Sequence, residues 1–332
     1  MKPILFVSNV RRRFVELDET ILRERYPVQS VYYERAHPSL IVDAFAKTQN
    51  IQLVFAWFAS WHTLPVFTAA RLRGIPTILI TGGYDVANEP QINYGLRQGG
   101  ISKIISGQVF RLAERTLAFS DYGYREALAN TPVKKERLTA INLGVPDLPE
   151  YGAKINKEAM VITIGHIDRV SMPRKGFLTF VKAAQYLPDT RFIVIGKARD
   201  TAIDELKAIA APNVEFTGYL SDEDMVKLQQ RAKVYVQVSH HEGFGLSVVE
   251  SMLARCIPVV SRRGALPDVV GPTGLYVDDY TDEQALAQAI EQALQMPDSQ
   301  GELAREYALE HFSIQQRAKA LYQEIDRLIA IP

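Results

Sequence analysis

Short apolar runs alternate with amphipathic stretches along this 332-residue chain, and that alternation constrains the fold more than any other feature. Apolar runs stand at 3–9, 28–34, 51–57, 76–81, 116–120 and 138–142. Between them, 14–25, 39–48, 62–73, 100–114 and 122–130 carry helical periodicity. Nearly continuous apolar strands separated by amphipathic helices predict parallel βαβ units whose strands are buried on both faces. The pattern then begins again, with strands at 160–165, 191–196, 214–217, 234–238, 257–261 and 275–277. Its helices are expected at 175–186, 201–210, 222–231, 246–255 and 283–295. The architecture repeats although the sequence does not. Between the halves lies the segment 144–152, with two prolines and two glycines in nine residues, which reads as a linker. The expectation is an α/β chain with two Rossmann-like domains, 1–147 and 158–310, facing across a cleft. A closing helical stretch, 302–330, has few breakers. In such open sheets, ligands bind beyond the carboxyl ends of the strands.

Composition narrows the class. The chain has 38 basic and 38 acidic residues, a formal net charge of zero, which argues against a dedicated nucleic-acid binder. Local basic patches remain at Arg11-Arg12-Arg13 and Arg262-Arg263. A single cysteine, Cys256, excludes an intrachain disulfide and a cysteine-cluster metal site, and its place on an apolar helix face predicts a buried thiol. The start, Met1 to Val7, has too short an apolar run for a signal peptide and reads as a first strand. No run approaches about 18 apolar residues, so no membrane span is expected. A cytoplasmic protein is the default, with peripheral attachment to the inner face of a membrane left open.

The densest chemistry lies in Glu242-Gly243-Phe244-Gly245-Leu246-Ser247-Val248-Val249-Glu250. A strand, a glycine turn and a helix start form a ready anion site, because the first N–H groups of a helix lack partners and the dipole is positive there. Backbone groups around Phe244, Gly245 and Leu246 would serve it. If the helix begins near Gly245, then Val248, Val249, Met252, Leu253 and Cys256 share one face. At 100° per residue Glu250 falls roughly 130° from the centre of that stripe, free to face a ligand. Glu242 precedes the helix, on the turn. Two carboxylates flanking an anion cradle can accept hydrogen bonds from hydroxyls, a combination that suits a sugar nucleotide.

A second element has the matching charge. The strand at 160–165 runs through Gly165 and His166 into a loop with Arg169, Arg174 and Lys175, followed by Gly176. Cations there can neutralise a diphosphate, whose charge grows as it departs. In the first half, Gly82-Gly83-Tyr84-Asp85 follows the fourth strand, and offers backbone groups to a sugar with Asp85 accepting from a hydroxyl, or a purely structural turn. Trp57 to His62 ends the third strand, and Trp61 and His62 there can stack on an acceptor or pack the rim. Adjacent His240 and His241 point in different directions and make a poor metal pair. No Asp-x-Asp motif follows a strand convincingly. Neither metal nor cofactor is therefore expected.

From Glu242 onward the chain resembles the E-x7-E signature of retaining glycosyltransferases of family 4, which have the GT-B architecture. The likeness continues through Ser251 to Val260, Gly264 to Val270 and Gly274 to Val277. It covers the second half well and the first half in layout. It implies transfer of a sugar from a nucleotide donor, expected to be UDP-linked, to a hydroxyl of a glycan, lipid or small molecule. It also implies a diphosphate held by Lys175 with Arg169 or Arg174, ribose hydroxyls on Glu250, sugar hydroxyls on Glu242, and donor contacts from Gly165, His166 and Ser247. The C-terminal helix, 311–332, would cross back to the first domain. The chain departs from the pattern in three places. His166 stands where the family has an arginine, the loop 8–14 lacks glycine, and Thr81 to Asp85 lacks the family's first-domain histidine. A UDP-sugar epimerase of the same fold and a non-catalytic nucleotide-sugar binder are the competing readings.

Overall fold

A computed structural model describes residues 2–329. It divides into two compact units, one running to Gly144 and resuming at Ile314, the other spanning Val145–Ser313. In the first unit, β1 (Ile4–Ser8), β2 (Val28–Tyr32), β3 (Leu53–Trp57), β4 (Thr77–Thr81), β5 (Arg115–Ala118) and β6 (Leu138–Ala140) form one parallel sheet in the order β2-β1-β3-β4-β5-β6. In the second, β7 (Glu158–Ile164), β8 (Arg191–Ile195), β9 (Val214–Gly218), β10 (Ala232–Gln237), β11 (Ile257–Ser261) and β12 (Leu275–Val277) are ordered β12-β11-β10-β7-β8-β9. The connections reverse direction between β1 and β3 in the first sheet, and between β7 and β10 in the second. Those are the switch points at which open α/β sheets leave a crevice.

The continuous apolar runs became the central strands. All five residues of β1, β3 and β4 are buried. Leu5, Val7, Val54 and Ala56 join a cluster with Val66, Phe67, Val109 and Phe110 from helices Thr63–Leu72 and Gly100–Leu112. The equivalent cluster of the second unit joins Val161, Val194, Val234 and Val236 to Phe180, Leu286 and Ile290. Among the described residues, no helix is long and apolar enough to cross a membrane.

Two segments differ from expectation. The stretch 302–330 is two helices, Ser299–Phe312 and Ile314–Ile329, broken at Ser313 although no proline or glycine is present. The carbonyl of Phe312 accepts from the Val145 N–H at 2.8 Å, and Ser313 is extended at φ −69°, ψ 149°. The break is thus imposed by a tertiary hydrogen bond. Of the expected element 311–332, the helix Ile314–Ile329 packs on the first unit, and residues 330–332 lie outside the described residues, as does Met1.

The segment 145–152, with linker composition, is docked on the second unit. Asp147 accepts from both Arg305 guanidinium nitrogens at 2.9 and 2.8 Å. Tyr151 is buried, with its hydroxyl donating to Gln229 at 3.0 Å. Cys256 is buried as expected, its thiol against the carbonyls of Gln229 and Ala232.

Candidate active site

The switch point of the second sheet gathers the charged residues. Lys175 ends the short helix Ser171–Lys175, and Gly176 follows at φ +68°, a left-handed conformation. A Cβ there would lie 2.0 Å from the Val238 carbonyl oxygen, so only glycine lets the Lys175 turn approach the end of β10. The His240 N–H donates to the Arg174 carbonyl at 2.7 Å and joins the same two loops. As a result the Lys175 ammonium lies 3.2 Å from Glu242 Oε2, and the Arg174 guanidinium 3.8 Å from the same oxygen. Gln237, the last residue of β10, donates to Oε2 at 2.6 Å. Gly264, at φ +60°, lies against the Glu242 backbone where a Cβ would come within 2.6 Å of its oxygen. The neighbouring Ala265 N–H donates to that oxygen at 2.8 Å.

Burial pushes the Glu242 carboxyl up, but the Lys175 ammonium and the Arg174 guanidinium outweigh it and hold the group below its usual range. Glu242 is therefore ionised at neutral pH. Lys175, Gln237 and Arg174 all approach Oε2, which leaves Oε1 for a further donor such as a sugar hydroxyl.

Beside this cluster is a cavity of about 280 Å³ lined by Gly165, His166, Lys175, Lys197, Tyr219 and Ser247, among others. Gly165, His166, Lys175 and Ser247 are thus brought together as the sequence suggested. Glu250 is half-buried three residues beyond Ser247, on the same side of the helix Leu246–Leu253. The helix start at Leu246 agrees with the spacing argument, with Gly245 just before it. Phe244 is buried and meets Phe312 edge-on at 5.4 Å, so its ring belongs to the core.

Of the two arginines offered as partners for Lys175, only Arg174 joins it. Arg169 is two-thirds exposed and turns away to Thr201 at 3.3 Å and Glu205 at 3.5 Å. Its backbone N–H bonds to Asp200 and sets that direction. Lys197, Tyr219 and Gln237 escaped the sequence reading. The first two stand immediately beyond the carboxyl ends of β8 and β9, a position rule that could have found them. Gln237 reads as an ordinary strand residue.

The first-unit residues behave differently. Asp85 is 2% exposed and is a structural bracket. Its Oδ2 accepts from Thr81 Oγ1 at 2.7 Å and the Ala59 N–H at 3.0 Å, and its Oδ1 from the Gly82 N–H at 3.1 Å. The expectation that Asp85 receives a sugar hydroxyl is corrected, because these internal donors take its lone pairs. Gly82 and Gly83 are buried under the Phe119 ring, and Tyr84 is exposed, its ring edge-on to Tyr94. His62 is also corrected. It is fully buried, its Nε2 faces the Trp57 carbonyl at 3.0 Å, and burial lowers its pKa to about 4 against the pull of that bond. Trp61 is half-buried and packs against the apolar cluster of this unit.

Burial likewise pushes the Asp85 carboxyl up to about 6, against the pull of the hydrogen bonds it accepts. Since the folded value exceeds the ordinary 3.8, the folded state binds the proton more tightly. The associated stability is full below about pH 4 and lost as pH rises through about 6. Asp85→Asn should remove this component, so the difference in unfolding free energy between wild type and variant should change between about pH 4 and 6. Urea unfolding across that range checks it, and parallel profiles would count against the bracket's ionisation.

Residues 148–310 match the family model described as glycosyl transferases group 1. The O-antigen chain mannosyltransferase B of Escherichia coli is 35% identical over 141 residues, which are 40% of this chain and 36% of that protein. The chain thus spans little more than a third of that relative's length. The alpha-maltose-1-phosphate synthase of Mycolicibacterium smegmatis is 26% identical over 310 residues, 80% of this chain and 78% of that protein. Among solved structures, Anabaena HepE, crystallised with UDP and glucose, superposes with a TM-score of 0.77 at 16% identity, covering 98% of this chain and 100% of that one. At that identity the likeness concerns the fold. The parallel six-stranded sheets give this chain the GT-B fold, and the unit that holds Lys175 and Glu242 matches the glycosyl transferases of group 1.

Proposed function

We propose that the chain is a retaining, metal-independent hexosyltransferase that moves a sugar from a nucleoside diphosphate donor, UDP-linked, to an acceptor hydroxyl. The carrying observation is the convergence of Lys175 and Arg174 on Glu242 at the β7–β10 switch point, beside a cavity open to a ligand. In this reading the Lys175 ammonium and the Arg174 guanidinium receive the diphosphate and stabilise the charge it gains as its bond to the anomeric carbon breaks. The acceptor oxygen bonds to that carbon on the face the diphosphate leaves, and its proton passes to the leaving phosphate oxygen. No strong protein base is then needed. Glu242 Oε1 takes a sugar hydroxyl, and Glu250 the ribose hydroxyls.

The likeness to a mannosyltransferase over 141 residues favours a second reading of the donor, as a mannosyl nucleotide. Incubation with UDP- and GDP-linked glucose and mannose, with and without acceptors, separates the readings. Nucleotide release that depends on acceptor supports transfer. Interconversion of sugars without an acceptor would support an epimerase, and binding without turnover a non-catalytic binder. Either result sinks the proposal. Glu250→Ala should weaken nucleotide binding by about 1.5–3 kcal/mol, the size of charge-assisted hydrogen bonds to hydroxyls. Calorimetry showing unchanged affinity would remove Glu250 from the ribose role.

A further inference from the structure

The first sheet has its own cavity, of about 320 Å³, also at its switch point. The loop after β1 contributes Asn9, Val10 and Arg12, the turn after β3 contributes Phe58 and Ser60, and Phe14, Tyr84 and Leu96 complete the wall with Asp85. Three features of this cavity point to a ligand.

The first is Phe58, at φ +68°. Left-handed backbone is unfavourable for an aromatic residue and persists only where the surroundings impose it. Here they do. The Phe58 N–H donates to the Ile80 carbonyl at 2.8 Å, its carbonyl accepts from Thr63 Oγ1 at 2.7 Å, and the next N–H, of Ala59, is held by Asp85. The bracket built on Asp85 thereby fixes a half-buried aromatic ring as a wall of the cavity. Phe14 and Tyr84 add two more rings, and aromatic faces suit the C–H face of a sugar or cyclitol ring.

The second is Arg12. Among the described residues its guanidinium has no hydrogen bond or ion pair, whereas that of Arg11 stacks on Tyr32 at 4.5 Å. It is a single cation available to a cavity walled mostly by carbon. The third is Asn9, whose Oδ1 is buried with no hydrogen-bond partner. A buried acceptor without a donor calls for one from outside the chain.

We propose that this cavity binds the acceptor, and that the acceptor is a hydroxylated ring bearing an anionic group, a phosphorylated sugar or cyclitol. The ring packs on Phe58 and Phe14, the anion meets Arg12, and a ring hydroxyl donates to Asn9. The volume lies at the low end of the range of about 300–1,000 Å³ usual for ligand sites, which suits one ring with its substituent rather than an oligosaccharide. The inference rests on the glycosyltransferase reading for the word acceptor, but the binding itself can be measured without a donor.

The test uses the full chain. Calorimetry with glucose 1-phosphate and myo-inositol 1-phosphate, against methyl glucoside and myo-inositol, reads the anion preference directly. Wild type should bind a phosphorylated ring at least about tenfold more tightly than its neutral counterpart, and Arg12→Gln should abolish that difference, as expected for one charge-assisted bond. Arg12 is exposed, so the variant should fold normally. Phe58→Gly, which relieves the backbone strain while removing the ring, should weaken phosphorylated and neutral rings alike. Vesicles containing phosphatidylinositol, compared with phosphatidylcholine alone, tell a lipid-borne ring from a soluble one. Equal affinity for phosphorylated and neutral rings, or an Arg12→Gln loss that falls equally on both, overturns the inference, as does binding of neither source. If nucleotide sugars are neither bound nor turned over while anionic rings still bind, the transferase reading fails and the anion site stands.

Discussion

Lys175→Ala should lower turnover by about 10²–10³-fold, the range seen when one preorganised donor to a developing charge is removed. Two structural facts set this size. Lys175 is largely buried, with 17% of its side chain exposed, so water cannot readily replace it. Its turn is also fixed by the Gly176 approach to Val238, so the ammonium needs no reorganisation when charge develops. The loss should fall on turnover more than on donor affinity, because diphosphate charge is greatest in the transition state. Glu242 would lose its nearer cation and keep the Arg174 guanidinium at 3.8 Å, so some disturbance of donor-sugar placement is also expected. Arg169→Ala is the control. Its side chain turns to Glu205 and Thr201, and turnover should stay within about twofold, as for surface changes away from a site. Steady-state kinetics of both variants decide the matter. An unaltered turnover number for Lys175→Ala, or a large loss for Arg169→Ala, would reverse the assignment.

Arg317→Ala should destabilise the first unit by about 3–5 kcal/mol, because it strands a buried carboxylate. Arg317 stands on the helix Ile314–Ile329 and grips Asp18 of the helix Arg13–Arg25 with two nitrogens, at 2.5 and 2.6 Å. Their side chains are 2% and 0% exposed. The same guanidinium donates to the carbonyls of Ile141 and Asn142 at 3.0 and 2.9 Å. One side chain thus ties the C-terminal helix to an early helix and to the segment after β6. Pairing Asp18→Leu with Arg317→Met should recover part of the loss, since no lone charge remains, although the two carbonyls stay without their donor. Urea unfolding followed by tryptophan fluorescence is a suitable readout, because Trp57 lies 5.8 Å from the guanidinium. A change under about 1 kcal/mol for the single variant would mean that the pair is dispensable.

The two predictions differ in how far they could have been foreseen. Lys175 was legible because local chemistry marks it, as a lysine before a glycine in a loop leaving an apolar strand. The Asp18–Arg317 pair was not. Its members are 299 residues apart, and each alone reads as an ordinary charge on a helix. The same division runs through the candidate site. The helix start at Leu246 and the half-buried Glu250 followed from periodicity. The choice between Arg174 and Arg169 did not, since both are arginines in one loop and only the bonds of their backbones to His240 and Asp200 aim them apart. Asp85 and His62 stayed between two roles in the sequence for a related reason. A polar residue beyond a strand end suits a ligand contact and an internal bracket equally well, and burial decides between them.

By itself, then, the sequence determined the strand and helix periods, the parallel α/β class and the half in which Lys175, Glu242 and Glu250 stand. These depend on side-chain spacing over ten or so residues, where hydrophobic burial and helix geometry act locally. Tertiary structure alone decided which arginine joins Lys175 at Glu242, the break at Ser313, the left-handed backbone of Phe58 and the grip of Arg317 on Asp18. Each depends on groups far apart in the chain competing for the same hydrogen bonds or the same buried space, and such a competition has no outcome until the sheets have formed.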